Sequence, residues 1–170
     1  VVATGSNSYG ECNVSDWKDI ISVDCGDKHT AGLKSDGTVV SEKYNVSNWK
    51  DMVSIACGEN YIVGLKSDGT VVVTSENDYG QCSVSGWKDI VSIACGENYT
   101  VSLKSDGTVV AIGYNEDGQC DISDWKNIMS IDCGIAHTAG LKSDDTVVAT
   151  GDNKYGQCDV SSWKDIASMD

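Results

Sequence analysis

The residues best suited to acid–base chemistry are two Asp–His pairs that recur at one spacing. Asp24 stands before His29, and Asp132 stands before His137, with the same four-residue interval between the partners. A carboxylate that holds an imidazole by a charge-assisted hydrogen bond forms half of a catalytic triad. No nucleophile or metal is specified beside either pair, so we interpret both as structural pairs across two strands and predict no catalytic residue. A hydrolase is the alternative, and its turnover would depend on these histidines.

Eight cysteines fall into two recurring positions. Four follow Gly-Gln or Gly-Glu, at Cys12, Cys82, Cys120 and Cys158, and four precede Gly, at Cys25, Cys57, Cys95 and Cys133. Zinc-ligand spacing is missing, since there is no Cys-x-x-Cys pair, and we predict no metal site and no cofactor. We expect reduced structural thiols, which favour a cytoplasmic compartment, whereas disulfides would favour a secreted one.

The charge balance restricts the partners. The chain has 170 residues with 26 acidic side chains and 12 lysines but no arginine, which gives a formal net charge of −14. Nucleic acids and anionic membranes attract basic surfaces, so we predict neither as a partner. No apolar run is long enough to span a bilayer. An acidic surface favours a protein partner with basic patches.

These residues lie in a tandem repeat. The template is WKDIVSIACGENYTVSLKSDGTVV at 87–110, copied closely at 49–72, more loosely at 17–40 and 125–148, and begun again at 163–170. We divide one repeat domain, 1–170, into units 1–38, 39–70, 71–108, 109–146 and 147–170, of which the second is short and the last incomplete. Because the chain begins inside a repeat, we expect a piece of a longer protein or a processed product.

Each unit has the pattern of a small β-sheet. Ile90 to Cys95 and Tyr99 to Leu103 are typical of strands, Asp106-Gly107 favours a type I′ turn, and Val109 to Gly113 predicts a third strand. The extended Val-Ser-x-Trp piece is a weaker fourth strand. The sequence therefore predicts an all-β protein with four-stranded antiparallel blades of a β-propeller. Apolar residues on both faces of the first strand indicate burial between neighbouring blades.

Two repeated positions carry structural predictions. Asp145 stands where Gly37, Gly69 and Gly107 stand in the other turns, so Asp145→Gly should stabilise the domain by roughly 1 kcal/mol. A tryptophan recurs once per unit before a Lys, and we interpret it as a packing element rather than a ligand-stacking residue.

The spaced pattern resembles a known repeat family. Val23-Asp24-Cys25-Gly26 with His29-Thr30, Leu33 to Val40, and Val147 to Gln157 are similar to the regulator of chromosome condensation repeat. The resemblance implies a β-propeller, usually of seven blades. Members include a guanine nucleotide exchange factor for a small nuclear GTPase, and bacterial members with short repeats like these include a secreted inhibitor of β-lactamases. The resemblance favours a non-enzymatic protein–protein interaction module. The alternative is an inhibitor or exchange-factor-like regulator of a specific enzyme.

The repeat number departs from that family. About four and a half repeats indicate a partial ring or a ring completed by a homo-oligomer. In a third arrangement, Val1 to Gly5 would join the blade begun by Trp163 to Asp170. Asp170 aligns with Asp24 and Asp132, so a longer parent chain should continue with Cys-Gly-x-x-His.

Binding residues in repeat folds are the positions that vary between copies on a fixed scaffold. The first such set follows each Cys-Gly: Asp27 and Lys28, Glu59 and Asn60, Glu97 and Asn98, Ile135 and Ala136. A second set, in the Asn-x-x-Gly loops, is Ser8, Asp78, Glu116 and Lys154. The matching Cys-Gly-x-x turns of the β-lactamase-inhibiting relatives carry aromatic contact residues, whereas this chain has mostly polar ones. We expect the first set to crowd one face of the ring and bind a protein.

Overall fold

The fold consists of antiparallel β-sheets joined in a row. The structure is a computed structural model that describes residues 1–74 and 77–169. In these residues there are twelve strands in four sheets and no helix, so none of the described segments is a helix that could cross a membrane. The predicted all-β class is confirmed.

Each sheet has three strands in chain order. They are β1 (Ile20–Cys25), β2 (Thr30–Lys34) and β3 (Val39–Ser41); β4 (Met52–Cys57), β5 (Ile62–Lys66) and β6 (Val71–Val73); β7 (Ile90–Cys95), β8 (Tyr99–Lys104) and β9 (Val109–Gly113); and β10 (Ile128–Cys133), β11 (His137–Lys142) and β12 (Val147–Gly151). We call these sheets blades 1 to 4. Each blade combines two strands of one sequence unit with the strand that opens the next unit, and each first strand carries a bulge near its start.

The prediction of a fourth strand was wrong. The Val-Ser-x-Trp pieces form turns instead of pairing with a sheet. Their apolar residue is nevertheless a buried anchor: Val14, Val46, Val84, Ile122 and Val160 are at most 6% exposed. These pieces therefore hold the loops by side-chain burial rather than by a backbone ladder.

The hairpin turn also differs from the prediction. Lys34 O accepts a hydrogen bond from Gly37 N at 3.0 Å, and Lys34 N donates to Thr38 O at 2.8 Å. Of this turn, Gly37 alone has a positive φ, at 76°, so the loop is a type I turn followed by a left-handed residue rather than a type I′ turn. The Asp36 carboxylate accepts from Thr38 N and Thr38 Oγ1, which lowers the pKa of Asp36. The same Asp–Thr pair recurs in all four blades.

The tryptophans pack on the central strands, as the sequence predicts. A Cβ built on Gly32 would lie 2.8 Å from the Trp17 ring, and one built on Gly64 would lie 2.7 Å from the Trp49 ring. A side chain at either glycine would collide with the ring. Trp163 packs on none of the strands in the described residues and is 51% exposed.

Consecutive blades pack face to face around the first strands. β1 contacts β4, β4 contacts β7, and β7 contacts β10, so these four strands are the innermost ones. Apolar clusters fill each junction; Ile55, for example, packs with Ala31 and Leu33 of the preceding blade. The turns add backbone bonds, since Met52 N donates to Gly37 O at 3.0 Å.

The row of described blades has two uncovered faces. Val23 on β1 is 48% exposed, whereas Ile55, Ile93 and Ile131 at the same position are at most 9% exposed, because a preceding blade covers each of them. The prediction that both faces of the first strand are buried is therefore wrong for β1. Residues 1–5 form no strand and are exposed, so the five-bladed closure through them does not occur. Asp170 lies outside the described residues.

Candidate functional site

The site is built from the four Cys-Gly-x-x turns that join the first two strands of each blade. In each turn the glycine N–H donates to the carbonyl three residues later, with N to O distances of 2.8 to 3.0 Å. Neighbouring turns are also bonded: Glu59 N donates to Glu97 O at 3.1 Å, and Glu97 N donates to Ile135 O at 3.3 Å. We call residues 26–29, 58–61, 96–99 and 134–137 the turn face.

The first variable residue of each turn lines one central cavity of about 560 Å³. Three of the four, Asp27, Glu59 and Glu97, are carboxylates, and the fourth is Ile135, which is 73% exposed. Burial and the neighbouring Glu59 carboxylate raise the pKa of Glu97. The cavity mouth therefore concentrates negative charge beside one apolar side chain.

The second variable residue of each turn lies away from that cavity. Lys28 Nζ lies 3.1 Å from Asp27 Oδ2 and 5.4 Å from the centre of the Tyr9 ring. Asn60 Oδ1 accepts a hydrogen bond from Lys43 Nζ at 3.2 Å. Asn98 and Ala136 line a second cavity. The structure thus divides the predicted binding residues between the central cavity and its rim.

Four cysteines, one from each blade, contribute to the wall of the central cavity. Cys25, Cys57, Cys95 and Cys133 all line it, and all eight cysteines of the chain are free thiols. Burial raises the pKa of Cys57 and Cys95 well above the ordinary thiol value and raises the pKa of Cys133 to about 12. In the described residues, no group of three or more His, Cys, Asp or Glu side chains is arranged to hold a metal ion.

In blades 2 and 3 the last residue of the turn reaches the following blade. Tyr61 Oη donates to Tyr99 O at 2.5 Å, and Tyr99 Oη donates to His137 O at 2.5 Å. His29 occupies the same position in blade 1, is 1% exposed, and has no hydrogen-bond partner on either ring nitrogen. Burial, assisted by the Lys43 ammonium, lowers the pKa of His29 to about 4.

The predicted Asp–His pair does not form in blade 1. Asp24 lies opposite Ala31 in the sheet register, not opposite His29. Its carboxylate accepts from Cys25 N at 2.9 Å and from Cys57 N of the next blade at 2.7 Å. Burial raises the pKa of Asp24. Both the dyad and the cross-strand interpretation were therefore wrong, because the aspartate links two blades.

A second cavity of about 310 Å³ adjoins the first between the loops of blades 2 to 4. It is lined by Tyr79, Glu97, Asn98, Tyr114, Asp117, Gln119, Ile135 and Ala136. Sequence reasoning missed Tyr79, Tyr114 and Gln119, although Tyr79 and Gln119 lie in the Asn-x-x-Gly-Gln loops that it singled out as variable and Tyr114 directly precedes one of them. The second predicted set, Ser8, Asp78, Glu116 and Lys154, is exposed in those loops and lines neither cavity. The available signal was the tyrosine at 114, where the next repeat has Asp152.

Known proteins share this pattern of blades. The family model for the regulator of chromosome condensation (RCC1) repeat matches residues 20–41, 52–81, 90–119 and 128–157. No protein of curated function matches the chain in sequence.

Several solved structures superpose on the chain. Prp20p from Saccharomyces cerevisiae is 18% identical, with 78% of this chain and 45% of that chain covered and a TM-score of 0.65. The ectodomain of the Physcomitrella patens receptor kinase CR4 is 21% identical, with 89% and 46% covered and a TM-score of 0.72. Human WBSCR16 is 18% identical, with 95% and 59% covered and a TM-score of 0.73. At this identity the likeness is one of fold, and the chain spans about half the length of these structures.

Proposed function

Because this chain belongs to the RCC1 repeat family, we propose that it is a non-enzymatic β-propeller module that binds a protein through its turn face. The observation that carries the proposal is the cavity mouth, where three turns bring Asp27, Glu59 and Glu97 together around one depression. Three carboxylates around one depression favour a cation between them. The partner therefore presents a lysine- or arginine-rich segment. Prp20p, described for its binding to Gsp1p and histones, supports a protein partner.

The narrower alternative is an inhibitor or exchange-factor-like regulator, whose partner would be a specific enzyme. A hydrolase lacks support, because Asp24 binds backbone N–H groups and leaves His29 without a carboxylate. We further propose that residues 1–170 act as a single repeat domain, since apolar clusters join the consecutive blades.

A charge-matched pair of variants tests the binding role. The first variant neutralises the cavity mouth by the substitutions Asp27→Asn, Glu59→Gln and Glu97→Gln. The second variant removes the same charge from exposed positions outside the cavity by the substitutions Asp16→Asn, Asp124→Asn and Asp165→Asn. Binding of a fluorescent oligolysine peptide is followed by anisotropy at physiological salt. We expect the first variant to bind about tenfold more weakly and the second to match the wild type. Equal losses in both variants would mean that bulk charge alone attracts the peptide, and the proposal would fail.

We also propose that a second copy of the chain covers the exposed face of blade 1. This face is equivalent to the faces that form the junctions between the described blades: Val23 is 48% exposed at a position where three other blades bury an isoleucine. At the opposite face, Asp132 is exposed and accepts from its own Cys133 N, whereas the equivalent Asp24 also accepts from the next blade. The exposed faces thus offer the two halves of one blade–blade junction.

Light scattering distinguishes a second copy from a solitary chain. The wild type should show twice the chain mass of 18.0 kDa, and Val23→Lys should reduce it to one chain. Ile21→Lys is the control, since its side chain is 66% exposed at a position where Val53 and Val91 are also 55% exposed in covered blades. A wild type that stays monomeric at high concentration would refute the association.

A further inference from the structure

The second cavity contains a buried hydrogen-bond donor without a partner. Gln119 is 1% exposed, and its Nε2 makes no hydrogen bond. The orientation of the amide is fixed, because Gln119 Oε1 accepts from Asp117 N at 3.1 Å. The residue is also anchored to blade 4, since its carbonyl accepts from Thr138 Oγ1 at 2.8 Å. An unsatisfied buried donor costs stability, and a ligand that supplies an acceptor would remove this cost.

The equivalent glutamine in the next loop shows what is missing. Gln157 Oε1 accepts from Tyr155 N at 2.9 Å, in the same way, but Gln157 Nε2 donates to Asp152 Oδ2 at 3.2 Å. In the loop of the second cavity, Tyr114 occupies the position of Asp152. The Tyr114 hydroxyl donates to Glu116 Oε2 at 2.8 Å and offers no carboxylate to Gln119. The replacement of a carboxylate by a tyrosine therefore leaves the Gln119 donor free.

The other walls of the cavity suit a planar cation. Tyr79 and Tyr114 meet edge to face with ring centres 5.5 Å apart. The carboxyl-bearing side chains of Glu97 and Asp117 lie in the same lining. Guanidinium groups stack on tyrosine rings and bind carboxylates through a planar fork of donors.

We propose that the second cavity binds one arginine residue of a partner's peptide segment. The guanidinium group lies against Tyr79 and Tyr114 with Glu97 and Asp117 as counter-ions, and a main-chain carbonyl of the segment accepts from Gln119 Nε2. The volume of about 310 Å³ lies at the lower end of ligand pockets, which suits a single residue rather than a larger ligand. Glu97 and Ile135 line both cavities, so a segment seated over the central cavity continues into this one. The inference rests on the proposed binding role of the turn face.

Nuclear magnetic resonance titration with acetyl-Gly-Arg-Gly-amide tests the arginine site. The side-chain amide signal of Gln119 should shift in a saturable way, and the signal of Gln157 should stay in place. The same peptide with citrulline, which keeps the shape but lacks the charge, should bind at least about tenfold more weakly. No saturable shift, or equal binding of the citrulline peptide, would overturn the proposal.

Two variants and a control separate this site from general attraction to an acidic protein. Gln119→Met removes the donor and should weaken binding of the arginine peptide about fivefold to tenfold, whereas Gln157→Met should leave it unchanged. Tyr114→Asp should abolish binding, because it removes a ring and gives Gln119 the partner that Gln157 has. Bulk charge predicts the opposite, since this variant is more acidic, and tighter binding would overturn the site.

The outcome also separates this inference from the proposed function. If oligolysine binds at the turn face but the arginine peptide leaves the Gln119 signal unmoved, the arginine site is refuted and the binding face stands. If neither peptide binds, both proposals are refuted.

Discussion

His29 should make the stability of this protein depend on pH between about 4 and 6.5. The imidazole is 1% exposed, packs edge-on against Tyr44 with ring centres 4.9 Å apart, and has no hydrogen-bond partner. Burial and the Lys43 ammonium lower its pKa to about 4, and the backbone of Tyr61 and then the Asp27 carboxylate oppose this shift. The unfolded chain therefore binds a proton near pH 6.5, and the folded chain does so only near pH 4.

The direction of the pH dependence follows from the pKa of His29, which is lower in the folded chain than in the unfolded chain. Well above pH 6.5 His29 is neutral in both states and contributes no pH dependence. As the pH falls from 6.5 towards 4, the proton binds the unfolded state preferentially, so the free energy of unfolding decreases. At pH 4.5 the loss is about 2 kcal/mol. Asp24 and Glu42, whose pKa values burial raises, act in the opposite direction, because their protonation at low pH favours the folded state.

Urea unfolding at pH 7 and pH 4.5, followed by tryptophan fluorescence, measures the contribution of His29 to the pH dependence of stability. His29→Leu replaces the imidazole by an apolar side chain of similar size. Between pH 7 and pH 4.5 the free energy of unfolding of this variant should decrease by about 2 kcal/mol less than that of the wild type. Asp24 and Glu42 titrate in both proteins, so their contributions cancel in the comparison. If His29→Leu keeps the wild-type pH dependence, the buried imidazole is not its source.

Three further predictions concern repeated positions. Asp145 has a φ of 61°, in the left-handed region that the equivalent Gly37 occupies with a φ of 76°. Asp145→Gly should therefore raise the free energy of unfolding by roughly 1 kcal/mol. An unchanged or lower melting temperature would contradict this. Ser102 is fully buried and its Oγ has no hydrogen-bond partner, so Ser102→Ala should stabilise the fold by about 1 kcal/mol in urea unfolding, and destabilisation would refute the reasoning. The buried Cys57, whose pKa burial raises, should react with iodoacetamide at least about tenfold more slowly than the exposed Cys25; peptide mass mapping measures both rates, and equal rates would count against the packing described.

Much of the fold could be predicted because its signals are local. A β-branched run such as Ile90 to Cys95, followed by Gly96 and a second apolar run, specifies two antiparallel strands without reference to distant residues. The recurrence of that pattern predicts a row of equivalent sheets. The errors were also local: Asp106-Gly107 fits two turn types, and a Val-Ser-x-Trp piece can be buried with or without a ladder. The backbone pairing around them decides between these options.

The candidate site was harder to predict, because its geometry arises between blades. Asp24 was assigned to His29, five residues away, but it binds Cys57 N, which is thirty-three residues away. The free donor of Gln119 depends on a tyrosine replacing an aspartate in the loop that precedes it. Such contacts depend on how one repeat is rotated against the next, which the period of the sequence does not encode.

The sequence by itself determined the repeat, the strands and the positions of the Cys-Gly-x-x turns, because each rests on hydrogen bonds and side-chain alternation within one unit. It also determined that these turns are equivalent, since equal spacing on equal sheets places them on the same face. Only the tertiary structure decided that Asp27, Glu59 and Glu97 share one acidic cavity while Lys28 and Asn60 lie on its rim. It alone brought Gln119 into one cavity with two tyrosines and two carboxylates, since that grouping requires three blades to be packed together.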